Sequence, residues 1–291
     1  MPNKLPDLET IADNLPLRTH GGAWTYDKLF YLNAYLDRFI VSMRGEKQKW
    51  RSIHYIDLFA GPGKNALPDG RLLLGSPLLA LSQKRPFDRY FFSDLESANI
   101  EVLRKRCAQF SAEYSKISFE VGDANQVVNR VVKTILAIDK PITDKWQSLN
   151  LAFLDPEGLE LHWETVEKLA SRRTDLIIYY PQMGISREGA KEIDQKPPTR
   201  IDLFFGDTGW RQIYQKYQRG EESFLHRALL DYYKSKLKSF GYVYDPLPEP
   251  IFKNSKDAPL YRLLFACKHP LGNKFWADVT KNLPSGQLRL M

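Results

Sequence analysis

Apolar residues fall at helical spacing in WTYDKLFYLNAYLDRFIVSM, where Leu29, Leu32, Leu36, Phe39 and Ile40 share one face. The spacing predicts an amphipathic helix over Trp24–Met43 that ends near Gly45. SIHYIDLFA is then a short, β-rich, uninterrupted apolar run closing on a glycine turn, which predicts a buried strand. The loop KNALPDGRLLLG follows, broken by Pro68 and Gly70. A helix begins only at GSPLLALSQ, with Ser76 as the expected N-cap and Pro77 at N1.

DRYFFSDLE predicts a second strand ending in acids, SANIEVLRKRCAQFSAEY a helix, KISFEVGDAN a third strand and NQVVNRVVKTILAI another helix. SLNLAFLDPEG reads as a fourth strand running into a turn, WETVEKLAS as a helix and TDLIIYYPQ as a fifth strand. Strands alternating with helices imply an α/β fold with a mostly parallel sheet covered on both faces. Ligands of such folds sit at the carboxyl ends of the strands.

From Met183 to about Phe240 the pattern turns polar and basic, through SREGAKEIDQKPPTR and WRQIYQKYQRGEESFLHRALLDYYKSKLKSF, and predicts an inserted helical cap. GYVYDPLPEPIF and PLYRLLFACKHP read as a closing antiparallel pair of strands joined at KNSKDA. The expected organisation is an N-terminal extension and helix (1–50), a core (51–182), the basic helical insertion (183–240) and C-terminal strands that complete the sheet (241–291). There is no internal repeat or low-complexity tract.

At 291 residues, 43% hydrophobic and 13% aromatic, the chain has material for one large α/β domain or two small ones. Its two cysteines, Cys107 and Cys267, are far apart and show no ligand spacing, which supports neither a disulfide framework nor a zinc site. No metal is expected. The first twenty residues lack an apolar signal region and no run suits a membrane span, so a cytoplasmic location is expected. The net charge of +7 suits a nucleic-acid partner where the charges cluster, and ordinary enzymes carry as much.

The turn in YIDLFAGPGKN admits three readings. A P-loop needs G-x-x-x-x-G-K-[ST], but Leu58 stands at the first glycine position and Asn65 follows Lys64. GPGKNA fits a dinucleotide fingerprint, but Pro68 and Gly70 interrupt the helix on which a pyrophosphate would rest. The third ligand, S-adenosylmethionine, carries a sulfonium and an ammonium and no phosphate. A carboxylate at the strand end, Asp57, suits those cations, and Gly61 and Gly63 let the backbone approach the methionine and ribose. Lys64 is then a loop lysine without a catalytic duty.

Three further strand ends carry acids. Asp94 or Glu96 stands where ribose hydroxyls are bound in related sites, Asp123 or the Ala124 backbone where an adenine amino group would lie, and Asp155 beside the methyl group. Each also has an ordinary explanation, since Asp caps helices and DPEG is a type I turn sequence.

YIDLFAGPG, GSPLLAL, GDAN and LAFLDPEG, with the helix WTYDKLFYLNAYL before them, resemble the three-Cys-motif partner protein family over most of the chain from about Trp24. The resemblance implies a class I methyltransferase-like, Rossmann-like fold: a seven-stranded sheet, mostly parallel, with an antiparallel strand in its last pair. It implies S-adenosylmethionine as cofactor, with Asp57, Phe59, Ala60, Gly61 and Gly63 on the cofactor loop, Asp94 as the ribose acid, and Asp155 and Pro156 on the catalytic-loop motif. It also implies a cysteine-motif partner protein, this chain being the partner and not the cysteine protein.

An Asp-Pro pair suits methyl transfer to an exocyclic amino group, because a side-chain oxygen and a backbone carbonyl can accept its hydrogens and aim the nitrogen. Enzymes acting on amino groups of nucleic acid continue D-P-P-[YF], whose ring stacks on the base. Here Glu157 and Gly158 follow, so Phe153, Trp163, Tyr179 or Tyr180 would have to serve. Carbon-5 pyrimidine chemistry needs a cysteine, and neither Cys107 nor Cys267 is well placed. Arg200, Arg211, Lys216 and Arg219 offer a surface that could track a phosphate backbone, or else a solvated helix face. Lys28 and Trp24 reach toward the cofactor or, for the lysine, simply face solvent. A non-catalytic subunit that binds a partner protein is the alternative function.

Overall fold

A computed structural model describes residues 8–10, 12–19, 22, 24–45, 50–139, 148–243, 249–254 and 256–281. The elements run α1 (Trp24–Met43), β1 (Ser52–Asp57), β2 (Lys64–Ala66), β3 (Leu72–Leu74), α2 (Ser76–Leu81), β4 (Arg89–Asp94), α3 (Ser97–Cys107), α4 (Ser111–Tyr114) and β5 (Ile117–Val121). They continue α5 (Ala124–Asp139), β6 (Ser148–Leu154), α6 (Trp163–Ala170), β7 (Thr174–Tyr180), α7 (Gln182–Glu192), α8 (Arg200–Phe205), α9 (Gly209–Gln218), α10 (Leu225–Ser239), β8 (Ile251–Lys253), β9 (Pro259–Ala266) and α11 (Pro270–Thr280).

Seven strands form one sheet in the order β5-β4-β1-β6-β7-β9-β8. The first five pair in parallel, and β9 runs antiparallel to both β7 and β8. This is the class I methyltransferase arrangement, a doubly wound sheet closed by an antiparallel strand. The strand order reverses at β1, whose neighbours are β4 and β6, and the crevice beyond that point is where such sheets take ligands.

Alternate strand residues feed two cores, as the two-residue period of a strand requires. Tyr55, Ile177 and Tyr179 face one layer with Leu32, Tyr35, Leu36 and Phe39 of α1. Ile56, Leu176, Ile178 and Tyr180 face the other with α5, α6 and the helices α7 to α10. Phe204, Phe205, Leu229 and Tyr233 lie fully inside this second core, so the basic stretch after Met183 packs directly on the sheet.

Four local readings are corrected. The loop after the glycine turn is a hairpin, β2 against β3, closed where Gly70 N–H donates to Leu67 O at 3.0 Å. Gly75 takes the N-cap position of α2, and Ser76 is its first helical residue. The helix expected over SANIEVLRKRCAQFSAEY is broken between α3 and α4, where Phe110 N–H turns back to Cys107 O at 2.9 Å. Of the described residues of GYVYDPLPEPIF only Ile251 and Phe252 lie in a strand, and Val243 makes an isolated bridge to Cys267; residues 244–248 lie outside the described set.

Candidate functional site

A cavity of about 700 Å³ opens at the carboxyl edge of β5, β4, β1 and β6, within the roughly 300–1,000 Å³ range of ligand pockets. Of the residues expected there, Phe59, Gly61, Asp94, Glu96, Asp123, Ala124 and Asp155 line it. Ala60 and Gly63 line a small adjoining cleft with Lys28, Ser76 and Asp155. Asp57 and Pro156 line neither.

Strand register explains why Asp57 is absent. Asp57 is level with Phe92 of β4 and Phe153 of β6, two residues short of Asp94 and Asp155. Its counterpart at the cavity's height is Phe59. The Asp57 side chain is wholly buried beneath the turn, where Oδ1 accepts the Phe59 N–H at 3.2 Å and the Ser76 hydroxyl lies beside the carboxyl. Burial pushes this carboxyl up to about 7, against the Ser76 hydroxyl and the Phe59 N–H, which favour the anion. Asp57 thus supports the turn from beneath, and Phe59 forms the cavity wall above it.

The two glycines also differ. Gly61 has φ +59°, and a Cβ there would meet only the Arg18 side chain, at 3.7 Å. Gly63 has φ +89°, but its Cβ would meet Leu103 at 2.8 Å and Leu78 at 3.4 Å. A side chain at Gly63 would therefore crowd α2 and α3, a packing demand that Gly61 does not share.

Asp94 Oδ2 accepts the Gly61 N–H at 2.8 Å, while Oδ1 accepts Glu96 N–H and Asn99 Nδ2 at 3.0 and 2.9 Å. It thus joins the glycine turn to the start of α3 while facing the cavity. Asp123 Oδ1 accepts both the backbone and side-chain N–H of Asn125 at 2.8 Å. In Asp123 the capping role and the cavity position coincide, whereas Asp94 turns the chain toward Glu96, which takes the N-cap position of α3.

Asp155 Oδ2 lies 2.5 Å from Lys28 Nζ and 3.9 Å from Arg18 Nη1. Lys28 is buried, which corrects the reading of a solvent-facing helix lysine; burial lowers its pKa and Asp155 opposes the shift. Its ammonium stands 4.6 Å from the centre of the Tyr179 ring, which stacks on Tyr261 at 4.3 Å. Of the four aromatics considered for stacking, Tyr179 alone is beside Asp155 in this way. Tyr180 packs with Phe204 and Tyr233, Trp163 with Tyr233, and Phe153 is fully buried in the sheet.

Several lining residues escaped the sequence reading: Arg18, Leu95, Asn125, Glu157, Glu160 and His162. Asn125 ties two walls together, donating to the Glu160 carbonyl at 2.8 Å and accepting His162 N–H at 2.9 Å. Leu95 is 66% exposed, an apolar surface among carboxylates. Lys64 is not a free loop lysine: it is buried and sits 2.9 Å from Asp13. Cys107 and Cys267 are buried thiols pushed up to about 12, unsuited to nucleophilic attack. No cluster with metal-ligand character occurs among the described residues.

The basic tract is largely neutralised. Arg211 pairs with Asp202 at 2.7 Å, Arg200 with Glu188 at 3.3 Å, and Arg219 with Glu221 at 2.6 Å. None of the described helices is long and apolar enough to cross a membrane.

No family model matches the chain. No curated protein matches it either. Among solved structures it is similar to a Legionella pneumophila protein of the DUF519 family, with 13% identity over 92% of this chain and 96% of that one and a TM-score of 0.48. It is also similar to a Klebsiella pneumoniae protein provisionally described as an O-methyltransferase, with 9% identity over 81% and 80% and a TM-score of 0.41. A third is geranyl diphosphate C-methyltransferase from Streptomyces coelicolor, solved with S-adenosyl-L-homocysteine, with 13% identity over 80% and 75% and a TM-score of 0.33. All three scores lie below 0.5, and strand order and direction carry the fold here.

Proposed function

We propose that this protein is an S-adenosylmethionine-dependent methyltransferase whose cofactor occupies the cavity at the carboxyl edge. One observation carries the reading. Among the described residues six carboxylates, Asp94, Glu96, Asp123, Asp155, Glu157 and Glu160, line the cavity against a single guanidinium, Arg18, in a chain whose net charge is +7. Such a wall favours a cation and repels phosphate. The hairpin that follows the turn also removes the helix start on which a pyrophosphate would rest.

When bound, S-adenosylmethionine supplies an activated methyl group on a sulfonium. Asp94 and Glu96 would receive ribose hydroxyls, Leu95 would lie against the base, and the Asp123–Asn125 corner would meet its edge. Asp155, at the β6 end, would face the amino group to be methylated and hold it in line. Tyr179 is buried between Lys28 and Tyr261, which leaves the partly exposed Tyr261 ring as the surface near Asp155 for a planar group, and we take an exocyclic amino nitrogen of nucleic acid as the acceptor. Incubation with methyl-labelled S-adenosylmethionine and DNA or RNA tests this. Label should enter nucleic acid with the native protein and not with Asp155→Ala. Labelling that survives in the variant, or none with the native protein, contradicts the acceptor.

One observation favours a second reading, a methyltransferase-like subunit that binds cofactor or a partner without transferring methyl groups. Lys28 already occupies the Asp155 oxygen that an amino acceptor would need. Cofactor binding with no label in any nucleic acid, and co-purification of a cysteine-motif protein, would select it.

A further inference from the structure

We infer that Arg18, in the segment before α1, recognises the carboxylate at the amino-acid end of the ligand and so selects ligands that carry one. This rests on the proposal that the cavity takes S-adenosylmethionine. It adds a specificity residue outside the sheet and outside every motif in the sequence.

The segment is fixed in place. Arg18 N–H donates to Lys64 O at 3.0 Å, and its carbonyl accepts the Ala66 N–H at 2.9 Å, so it runs beside β2. Asp13, five residues earlier, is held by Arg106 at 2.8 Å and Lys64 at 2.9 Å. The Arg106 side chain is 1% exposed, which makes this clasp part of the core. From this anchor the Arg18 guanidinium reaches the open side of Gly61 and the acids beyond β6.

The charge of the cavity then limits what a carboxylate can pair with. Arg18 is the only arginine or lysine among the described residues that line it. Lys28 stands in the adjoining cleft, buried and committed to Asp155. A ligand with its base against Leu95 and Asp123 places its other end over Gly61 and Asp155. A carboxylate arriving there meets anions on every side except at Arg18.

Arg18 is free to serve. Its shorter ion pair, 3.0 Å to Glu157, is with a carboxylate 63% exposed, which can turn to solvent and yield its place, while the Arg18 side chain, 23% exposed, stays at the cavity wall. Its planar fork can bind a carboxylate through two N–H groups at once, which a lysine cannot.

The test compares S-adenosylmethionine with its decarboxylated form, which keeps the sulfonium and the amine, by calorimetric titration. The native protein should prefer S-adenosylmethionine by about ten- to a hundredfold, the span of one charge-assisted hydrogen-bond pair. Arg18→Gln should bring the two affinities to within about threefold of each other, and Arg18→Lys should restore part of the preference. A variant that only loosened the fold would weaken both ligands alike and keep their ratio; that result overturns the assignment. So does a native protein that binds both equally. If the folded native protein binds neither, the cofactor reading fails and the role of Arg18 falls with it.

Discussion

Lys28 and Asp155 form a buried ion pair, 2.5 Å apart, with side chains 9% and 7% exposed, linking the first helix to the end of β6. Removing Lys28 leaves Asp155 desolvated with only Arg18, 3.9 Å away, to offset its charge, at a cost of about 3 kcal/mol. Lys28→Met should therefore lower stability by roughly that amount in urea denaturation, and adding Asp155→Leu should restore most of it. A single variant as stable as the native protein would show that the pair does not hold α1 to the sheet.

Asp57 predicts the sign of a pH effect. Its carboxyl is raised from 3.8 to about 7 by burial, so the folded state keeps a proton that the unfolded state loses. Stability should fall as pH rises from about 4 to about 7 and level off above, by an amount on the order of 4 kcal/mol. Asp57→Asn should remove about half of the measured slope, the rest coming from Asp175, whose carboxyl burial also pushes up to about 7, and should be more stable than the native protein at pH 8. An unchanged slope would mean that Asp57 ionises normally beneath the turn.

The two glycines of the turn should separate in the same assay. Gly61→Ala places a side chain at φ +59° in ordinary contact with Arg18 and should cost about 1–2 kcal/mol, mostly from the backbone. Gly63→Ala adds a 2.8 Å contact with Leu103 to the same backbone penalty and should cost clearly more. Equal losses would contradict the packing role of Gly63.

Much of the fold was legible because long periodic segments carry their own signal. Trp24–Met43 was read to its ends, and five strands were placed by uninterrupted apolar runs. The β2–β3 hairpin was not, since three-residue strands are too short to show a period. Helix α11 was missed although His269 caps it and Pro270 opens it, because the preceding strand drew the reading past it. At the site, the acids at strand ends were visible as a pattern. Their heights were not, because register decides that Asp57 lies below the cavity while Asp94 and Asp155 reach it. Arg18, Lys28 and Asn125 act across distant parts of the chain, and no local spacing marks such partners.

Arg211 and Lys216 lie in the same basic tract and should behave differently. Arg211 binds Asp202 through two nitrogens and donates to the Ile193 and Gln195 carbonyls, so Arg211→Met should lower stability by about 3 kcal/mol. It should leave the salt dependence of any nucleic-acid binding unchanged. Exposed Lys216 should change stability little, and where it meets a phosphate, Lys216→Ala should reduce the salt slope by about one. A loss of nucleic-acid affinity in Arg211→Met without loss of stability would reverse this assignment.

Side-by-side calorimetric titration of the native protein with S-adenosylmethionine, ATP and NAD tests the acidic cavity most directly. We expect one S-adenosylmethionine per chain and no binding of either phosphate-bearing nucleotide. Absence of S-adenosylmethionine binding by the folded protein, or tighter binding of ATP or NAD, would contradict the account.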